Sequence, residues 1–461
     1  MNTLTVTLDP NSRTPLYLQL HDHLAREIAS GAIREGERLP GKRTAAKLLG
    51  VSLSTVDGAY QLLASEGYVT ARPRSGFVAC RIEQLPQASP PPPAQPEARG
   101  APDPVCSFLT GGIDGSLFPF RTWARLFKET LYTRPDLLNH GEPRGDLDLR
   151  QAIATYLYRS RGVLCRPDQI LVGAGMEYLL GLLCRLLAGR CVAVEEPGYP
   201  KTRQILSAGG LRTVCVPLDE QGVSPAALNA SQADAAYLTP SHQFPTGLVT
   251  PAGRRSALLK WASEGDRFLI EDDYDSEFRY DGRPMPCMQA LAPERVIYVG
   301  TFSRTVAPAI RVAYLVLPPA LLARYERDFG FYSSTVSRFE QHTLFRYLDE
   351  GHFDRSLSRA RNLCRARRDL LVAALRETFG PGCRLENVHT GLGFLFLPET
   401  SLSEREITAR AAARGLAVRG LDSYRAVPRP DLSPALVLGF SSLDKNSIPT
   451  AVGMLKDVLK P

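Results

Sequence analysis

The sequence lacks any long apolar run. No stretch of its 461 residues approaches the ~20 consecutive apolar residues that are needed to cross a bilayer. The first residues also lack the charged start and apolar stretch of a signal peptide. These absences predict a protein of the cytoplasm that has no membrane partner.

Cysteine is present, but it forms no pattern. The nine cysteines are odd in number and scattered, and they include no Cys-x-x-Cys pair. This distribution indicates neither a disulfide framework nor a zinc site. We therefore expect reduced side chains that are mostly buried as small hydrophobic groups, and no metal centre.

The overall composition is that of a globular protein. Hydrophobic residues make up 44% of the chain and charged residues 22%, and the length allows two or three domains. The net charge of +7 permits binding to nucleic acid, but a balance this modest is too common to establish it.

The first 80 residues predict three helices and a hairpin. An apolar side chain recurs every fourth position from Leu16 to Ile28, Gly50 ends the second helix, and Ser52 or Ser54 caps the third. The predicted elements are helices over residues 16–30, 44–49 and 52–66, and strands over residues 67–71 and 76–80. This order is typical of a helix-turn-helix followed by a wing.

This segment resembles the winged helix-turn-helix of GntR-family transcription factors. The resemblance implies that the third helix begins in the major groove of DNA and that basic side chains contact phosphates. Leu53 stands where the family commonly has an arginine, and Asp57 adds a negative charge to the same helix. The implied DNA-binding residues are Lys42, Arg43, Ser52, Ser54, Thr55, Arg72 and Arg74. The alternative is a solvated basic face on which Thr55 is a plain surface residue.

A proline-rich stretch follows the wing. Residues 90–93 are consecutive prolines, a composition that favours an extended chain and cannot build a core. We predict a DNA-binding domain over residues 1–81, a linker over residues 82–104, and a large domain over residues 105–461. At about 3 Å per residue, the linker could span on the order of 70 Å.

The large domain alternates helices with strands, which predicts an α/β layered fold with a largely parallel sheet. The clearest helical patterns cover residues 149–158 and 178–187, and short strands cover residues 170–172, 192–194 and 268–270. From about residue 338 the chain becomes helical and arginine-rich, and strands follow over residues 391–397 and 435–440. We interpret the arginine run, which includes Arg367 and Arg368, chiefly as a solvated helix face.

A small-residue loop over residues 299–311 joins two β-branched runs. Thr301 and Ser303 supply hydroxyl groups, and Arg304 and Arg311 supply guanidinium groups, which together suit a phosphate. Gly175 precedes a predicted helix whose free amides would also bind an anion. The alternative is a polar loop with solvated charges.

Together with residues 196–200, 239–247 and 268–278, this loop resembles the pyridoxal-phosphate site of fold-type I aminotransferases, and the likeness covers nearly all of residues 105–461. It implies that Asp272 keeps a pyridinium nitrogen protonated, that Tyr274 binds the ring hydroxyl, and that Tyr199 stacks on the ring. Phe244 replaces an asparagine of the family's pattern. The cofactor-binding residues so implied are Gly175, Met176, Tyr199, Asp272, Tyr274, Thr301, Ser303, Arg304 and Arg311.

Arg304 occupies the position of the family's Schiff-base lysine. Covalent capture of an aldehyde needs an amine that can lose its proton, and a guanidinium with a pKa above about 12 does not. Between residues 105 and 440 the sequence has three lysines, Lys128, Lys201 and Lys260. Only Lys201, close to Tyr199, is predicted to lie near the pocket.

The whole chain resembles the MocR subfamily of bacterial regulators. The resemblance implies a multidomain fold: a small α+β winged helix-turn-helix, a proline-rich linker, and an α/β aminotransferase-like domain with a smaller α+β C-terminal subdomain. It also implies a head-to-tail homodimer that binds operator DNA and senses pyridoxal phosphate or a related phosphorylated or amino ligand, here without a covalent bond. The alternatives are an aminotransferase with an appended DNA-binding domain and a degenerate dimerisation scaffold.

Overall fold

The computed structural model describes residues 6–73, 75–82, 104–112, 114–281, 285–429 and 432–460. The chain forms two compact units, Met1–Ala101 and Pro102–Pro461. Apart from Ile82 and Pro104, the predicted linker lies outside the described residues. Arg74, a predicted DNA contact, also lies outside them.

The first unit has the predicted helices and hairpin. Its elements are α1 (Leu16–Ala29), α2 (Lys42–Leu49), α3 (Leu53–Ser65), β1 (Val69–Arg72) and β2 (Gly76–Ala79). The strands pair antiparallel. Leu20, Leu24, Val56, Tyr60 and Leu63 are fully buried between the helices, which confirms the predicted apolar faces. Helix α2 begins at Lys42, two residues before the predicted start, directly after its N-cap residue Gly41.

The second unit alternates helices and strands. Its helices are α4 (Phe120–Thr133), α5 (Leu147–Arg161), α6 (Met176–Leu186), α7 (Pro200–Ala208), α8 (Pro225–Ser231), α9 (Ala252–Ser263), α10 (Pro319–Phe329), α11 (Arg338–Asp349), α12 (His352–Phe379), α13 (Glu404–Ala413) and α14 (Ile448–Leu459). Its strands are β3 (Cys106–Ser107), β4 (Ile170–Ala174), β5 (Cys191–Glu196), β6 (Arg212–Asp219), β7 (Gly222–Val223), β8 (Ala235–Leu238), β9 (Phe268–Asp272), β10 (Val296–Thr301), β11 (Val312–Val316), β12 (Arg384–Glu386), β13 (Gly393–Leu397), β14 (Leu416–Ala417), β15 (Arg419–Gly420) and β16 (Leu436–Gly439).

The central sheet is largely parallel, as predicted. Its strand order is β4-β11-β10-β9-β8-β5-β6-β7, in which β11 and β7 run antiparallel to their neighbours. A smaller antiparallel sheet, β12-β13-β16-β15, belongs to the C-terminal part. Both faces of the central sheet are covered: Ile297 and Val299 pack in a cluster with α6 and α10, and Val296 packs in a cluster with α9.

The arginine-rich helix α12 is not simply solvated. Arg367 and Arg368 are buried, which makes the prediction of a solvated face wrong for these two side chains. Arg367 donates to the Ser441 carbonyl at 2.6 Å and to an Asp114 carboxylate oxygen at 2.5 Å. Carboxylate and carbonyl oxygens offset the cost of burying this guanidinium, although its Nε has no hydrogen-bond partner among the described residues.

Candidate functional site

Six strands of the central sheet bring functional residues to one edge, the one formed by the carboxyl ends of the parallel strands. Strands β5, β8, β9 and β10 are mutually parallel, so their carboxyl ends lie together. Strand β11 is antiparallel to both β10 and β4, so β4 also ends at this edge and β11 begins there. In open α/β sheets, ligands bind outside the carboxyl ends of the strands. This topology explains why motifs far apart in the sequence converge.

A cavity of about 390 Å³ opens at this edge. Eight of the nine predicted cofactor residues line it: Met176, Tyr199, Asp272, Tyr274, Thr301, Ser303, Arg304 and Arg311. The ninth, Gly175, precedes α6 with a positive φ of 87°. A side chain at Gly175 would overlap the Arg311 guanidinium, so glycine is required for Arg311 to reach the start of the helix.

One end of the cavity gathers charge around Glu177, in the first turn of α6. Arg311 and Lys201 both form ion pairs with its carboxylate. Burial opposes ionisation of Glu177, but hydrogen bonds from Lys201 and Arg311 outweigh it and lower the pKa of Glu177 to about 2. Two cations on one carboxylate leave a net positive charge beside a helix N-terminus, which favours an anion. Thr301, whose hydroxyl accepts from the Ser303 amide at 3.1 Å, lines the same cavity.

Asp272, the last residue of β9, is buried and carries an unsatisfied oxygen. Tyr237 donates its hydroxyl hydrogen to Oδ2, whereas Oδ1 has no hydrogen-bond partner among the described residues. Burial raises the pKa of Asp272 to about 7, although the Tyr237 hydrogen bond opposes the rise. A carboxyl group in this state is suited to a cationic partner supplied by a ligand.

Aromatic rings form a wall of the cavity. Phe244 packs edge-on against Tyr199, Tyr424 and Tyr274, with ring centroids 5.4, 5.1 and 6.1 Å apart. Tyr199 is 49% exposed and lines the cavity. Phe244 thus extends the apolar wall at the position where the aminotransferase pattern has asparagine.

Arg304 also lines the cavity. Its Nη1 donates to the carbonyl oxygen of Thr110 at 2.7 Å, which anchors one side of the guanidinium. The three lysines between residues 105 and 440 are placed as predicted: Lys128 and Lys260 are exposed on α4 and α9, and Lys201 lines the cavity. The Glu177 carboxylate raises the pKa of Lys201 and so holds this amine in its charged form.

Several cavity residues escaped the sequence analysis. Glu177 had a usable signal, because an acidic residue directly after the glycine turn falls in the first helical turn. Tyr237, Tyr424 and Arg419 had none, because each reaches the cavity through tertiary packing. The same holds for His242, which lies behind the cavity and contacts Tyr274.

In the first unit, Ser52 caps α3 and accepts a hydrogen bond from the Thr55 amide at 3.1 Å. Its hydroxyl also contacts the hydroxyls of Ser54 and Thr55, at 2.8 and 2.7 Å. Lys42 forms an ion pair with Asp57 and lies 5.1 Å from the centre of the Phe77 ring in the wing. Of the predicted phosphate contacts among the described residues, Arg43 and Arg72 are therefore the exposed ones.

Within the described ranges, no helix is long and apolar enough to span a membrane. The same ranges contain no cluster of acidic, histidine and cysteine side chains that could hold a metal ion.

Two families match the chain. Residues 112–425 match the family described as "Aminotransferase class I and II", and residues 16–78 match "Bacterial regulatory proteins, gntR family". The chain is 35% identical to the uncharacterized HTH-type transcriptional regulator YdeL of Bacillus subtilis, over 99% of both proteins. It is 34% identical to the HTH-type pyridoxine biosynthesis transcriptional regulator PdxR of Corynebacterium glutamicum, over 99% of this chain and 98% of that protein. The chain is 32% identical to the probable rhizopine catabolism regulatory protein MocR of Rhizobium meliloti, over 98% of this chain and 95% of that protein.

Solved structures are similar to the second unit. A kynurenine aminotransferase of Pyrococcus horikoshii, in complex with PMP, superposes with a TM-score of 0.68 at 25% identity, over 78% of this chain and 91% of that one. The α-aminoadipate aminotransferase LysN of Thermus thermophilus, complexed with N-(5'-phosphopyridoxyl)-L-leucine, superposes with a TM-score of 0.67 at 27% identity, over 77% of this chain and 91% of that one.

Proposed function

Because this chain belongs to the aminotransferase class I and II family and carries the DNA-binding domain of gntR-family regulators, we propose that it is a transcriptional regulator whose second unit binds pyridoxal phosphate, or a related phosphorylated or amino ligand, without a covalent bond. Its relatives over the full length are HTH-type regulators, including those named PdxR and MocR.

The observation that carries this proposal is the complementarity of the two ends of one cavity. Arg311, the Thr301 and Ser303 hydroxyls and the start of α6 would hold the phosphate. At the other end, Asp272 presents a buried oxygen without a partner to the ring nitrogen. Tyr199 would cover the ring. When bound, pyridoxal phosphate supplies an aldehyde that reacts with amines and a cationic ring that withdraws electrons.

The residues around the cavity disfavour covalent attachment. Arg304 carries a guanidinium group in place of the amine that covalent capture of an aldehyde needs. Lys201 is held in its charged form by Glu177 and lies at the anion-binding end. Arg304 would instead donate hydrogen bonds to the ligand, with Thr110 fixing its orientation.

A head-to-tail homodimer is part of the proposal. Phe120, Tyr132 and Leu138 lie on or just after α4 and are 67%, 79% and 77% exposed, and large apolar side chains exposed to this degree are available to a protein partner. The mass of the protein in solution tests whether it is a dimer, and a monomer at micromolar concentration would contradict the proposed assembly.

The function is tested by titrating the protein with pyridoxal phosphate while measuring its affinity for DNA fragments that it selects from a random-sequence library. We expect reversible binding that dialysis removes, and a change in DNA affinity of about 5- to 150-fold. Thermodynamic linkage requires DNA to change the affinity for pyridoxal phosphate by the same factor. A cofactor that binds without changing DNA affinity would contradict a sensor role.

The DNA-binding surface is tested by reversing charge at Arg43 and Arg72. If both contact phosphates, the R43E/R72E protein will bind all sequences more weakly, and the slope of log affinity against log salt will become shallower by about 2. R26E, the same charge reversal in α1, serves as the control. Equal losses in R26E and in each single variant would show that only net charge matters, and would remove Arg43 and Arg72 from the interface.

A further inference from the structure

His242 is buried directly behind a tyrosine of the cavity. It lies in the loop after β8, and 6% of its surface is exposed. Its Nδ1 lies 2.9 Å from Oδ2 of Asp275 and 2.8 Å from the hydroxyl oxygen of Tyr274. Tyr274 lines the cavity, whereas His242 and Asp275 do not. The three side chains therefore run outward from the interior to the cavity.

The direction of these hydrogen bonds follows from their donors. An Nδ1 without a proton would point its lone pair at the Asp275 carboxylate, so the proton belongs on Nδ1. A proton on Nε2 instead would be a buried donor without a partner among the described residues. The single Nδ1 hydrogen is shared by Asp275 and Tyr274, and both oxygens accept it. The Tyr274 hydroxyl therefore keeps its own hydrogen for a partner in the cavity.

Two glycines pack against the imidazole ring of His242. Gly391 has a φ of 72°, and a side chain there would overlap the His242 ring. Gly247 has a φ of 79°, and a Cβ at this position would lie 3.3 Å from Nε2 and 2.9 Å from Cβ of Asn387. Two segments more than 140 residues apart thus place glycine against the same side chain, which is expected if the position of the ring matters.

Burial, followed by the Asp275 carboxylate, raises the pKa of Tyr274 well above its usual value. The phenol consequently stays protonated and remains a donor. Phe244, which stands in place of the family's asparagine, contributes no polar group to this wall. The hydrogen bond from His242 therefore determines that the Tyr274 hydroxyl donates its hydrogen towards the cavity.

We propose that His242 is a positioning residue that turns the Tyr274 hydroxyl into an obligatory hydrogen-bond donor towards the cavity, so that the cavity selects ring ligands that carry an acceptor oxygen beside the reactive carbon. The inference rests on the proposed function, because the ring hydroxyl of pyridoxal phosphate, when ionised, is such an acceptor. It concerns selection among ligands, in addition to binding itself.

The test compares pyridoxal phosphate with its 3-deoxy analogue, which lacks the ring oxygen, by equilibrium dialysis. In the unaltered protein we expect the analogue to bind about 10- to 100-fold more weakly, as for the loss of a hydrogen bond to a charged acceptor. His242→Ala should reduce this ratio to the value found in Tyr274→Phe. His242→Asn should largely preserve the ratio, since the asparagine amide nitrogen can take the place of Nδ1. His389→Asn, which removes an exposed histidine paired with Asp281 at 2.9 Å, is the matched control.

The possible outcomes separate the two proposals. An unchanged ratio in His242→Ala would overturn the inference, as would equal losses in His242→Ala and His242→Asn when thermal melting shows both variants to be folded. A protein that binds pyridoxal phosphate and the analogue equally well would also overturn it while leaving the proposed function intact. If the unaltered protein bound neither ligand, the proposed function would fail, and this inference with it.

Discussion

Replacing Arg304 with lysine is expected to convert reversible binding of pyridoxal phosphate into covalent binding. The arginine lines the cavity and is anchored to the Thr110 carbonyl through Nη1. A lysine at this position is shorter and is released from that anchor, and its amine can lose a proton and condense with the aldehyde, releasing water. After borohydride reduction and denaturation, mass spectrometry should show about one cofactor on each R304K chain and none on the unaltered chain. The absorption spectrum of R304K should change in parallel.

Two lysine variants act as controls. Arg419 lines the same cavity, so R419K adds an amine without placing it at the proposed position, and should remain unmodified. K201A removes the lysine already present in the cavity. If the unaltered protein acquired a covalent adduct that K201A lost, Lys201 would be the attachment point and the enzyme interpretation would regain support. If R304K bound the cofactor only reversibly, Arg304 would not occupy the position at which the aldehyde lies.

Much of the fold could be predicted because local patterns determine it. The apolar run that became β9 and the β-branched runs that became β10 and β11 are buried apart from Thr301 at the end of β10. Such a pattern is the same whatever the order of the strands in the sheet. The buried Arg367 could also have been found: Ala360, Cys364, Arg367 and Leu371 follow helical spacing and lie on one buried face of α12. The arginine content of α12 suggested a solvated face, whereas the spacing of Arg367 relative to the apolar residues indicated that it is buried.

The pairings within the site could not be predicted in the same way. Glu177 meets Arg311, 134 residues away, because β4 and β11 are neighbours in the sheet. His242 meets Tyr274 across the ends of β8 and β9. Strand order creates both contacts, and periodicity along one segment carries no information about strand order. The sequence motifs therefore identify which residues reach the edge of the sheet, whereas the hydrogen bonds between them follow from topology.

Replacing Asp272 with asparagine is expected to stabilise the ligand-free protein at alkaline pH. Burial raises the pKa of Asp272 from 3.8 to about 7, so between pH 4 and 7 the folded protein holds a proton that the unfolded chain has released. The free energy of unfolding consequently falls as the pH rises through this window. At about 1.4 kcal/mol per pH unit, ionised Asp272 costs ~4 kcal/mol above pH 7. D272N should remove this cost at pH 8 and should match the unaltered protein near pH 4.

Urea unfolding followed by tryptophan fluorescence measures this difference, because Trp123 and Trp261 both lie in the second unit. Glu277 provides a matched control. Burial likewise raises the pKa of Glu277 to about 7. One of its carboxylate oxygens accepts a hydrogen bond from the Tyr156 hydroxyl at 2.5 Å, and the other has no partner among the described residues. Unlike Asp272, Glu277 does not line the cavity. E277Q should therefore gain stability at pH 8 as D272N does.

The two variants should differ in ligand binding. If Asp272 pairs with a protonated ring nitrogen, D272N loses a buried ion pair, and its affinity for pyridoxal phosphate should fall at least about 100-fold, whereas E277Q should bind unchanged. A stability gain together with a loss of affinity in D272N alone would show that the buried carboxylate is retained for a cationic ligand at the expense of the ligand-free fold. Equal binding of pyridoxal phosphate by D272N and E277Q would show that Asp272 makes no such pair with the ring nitrogen.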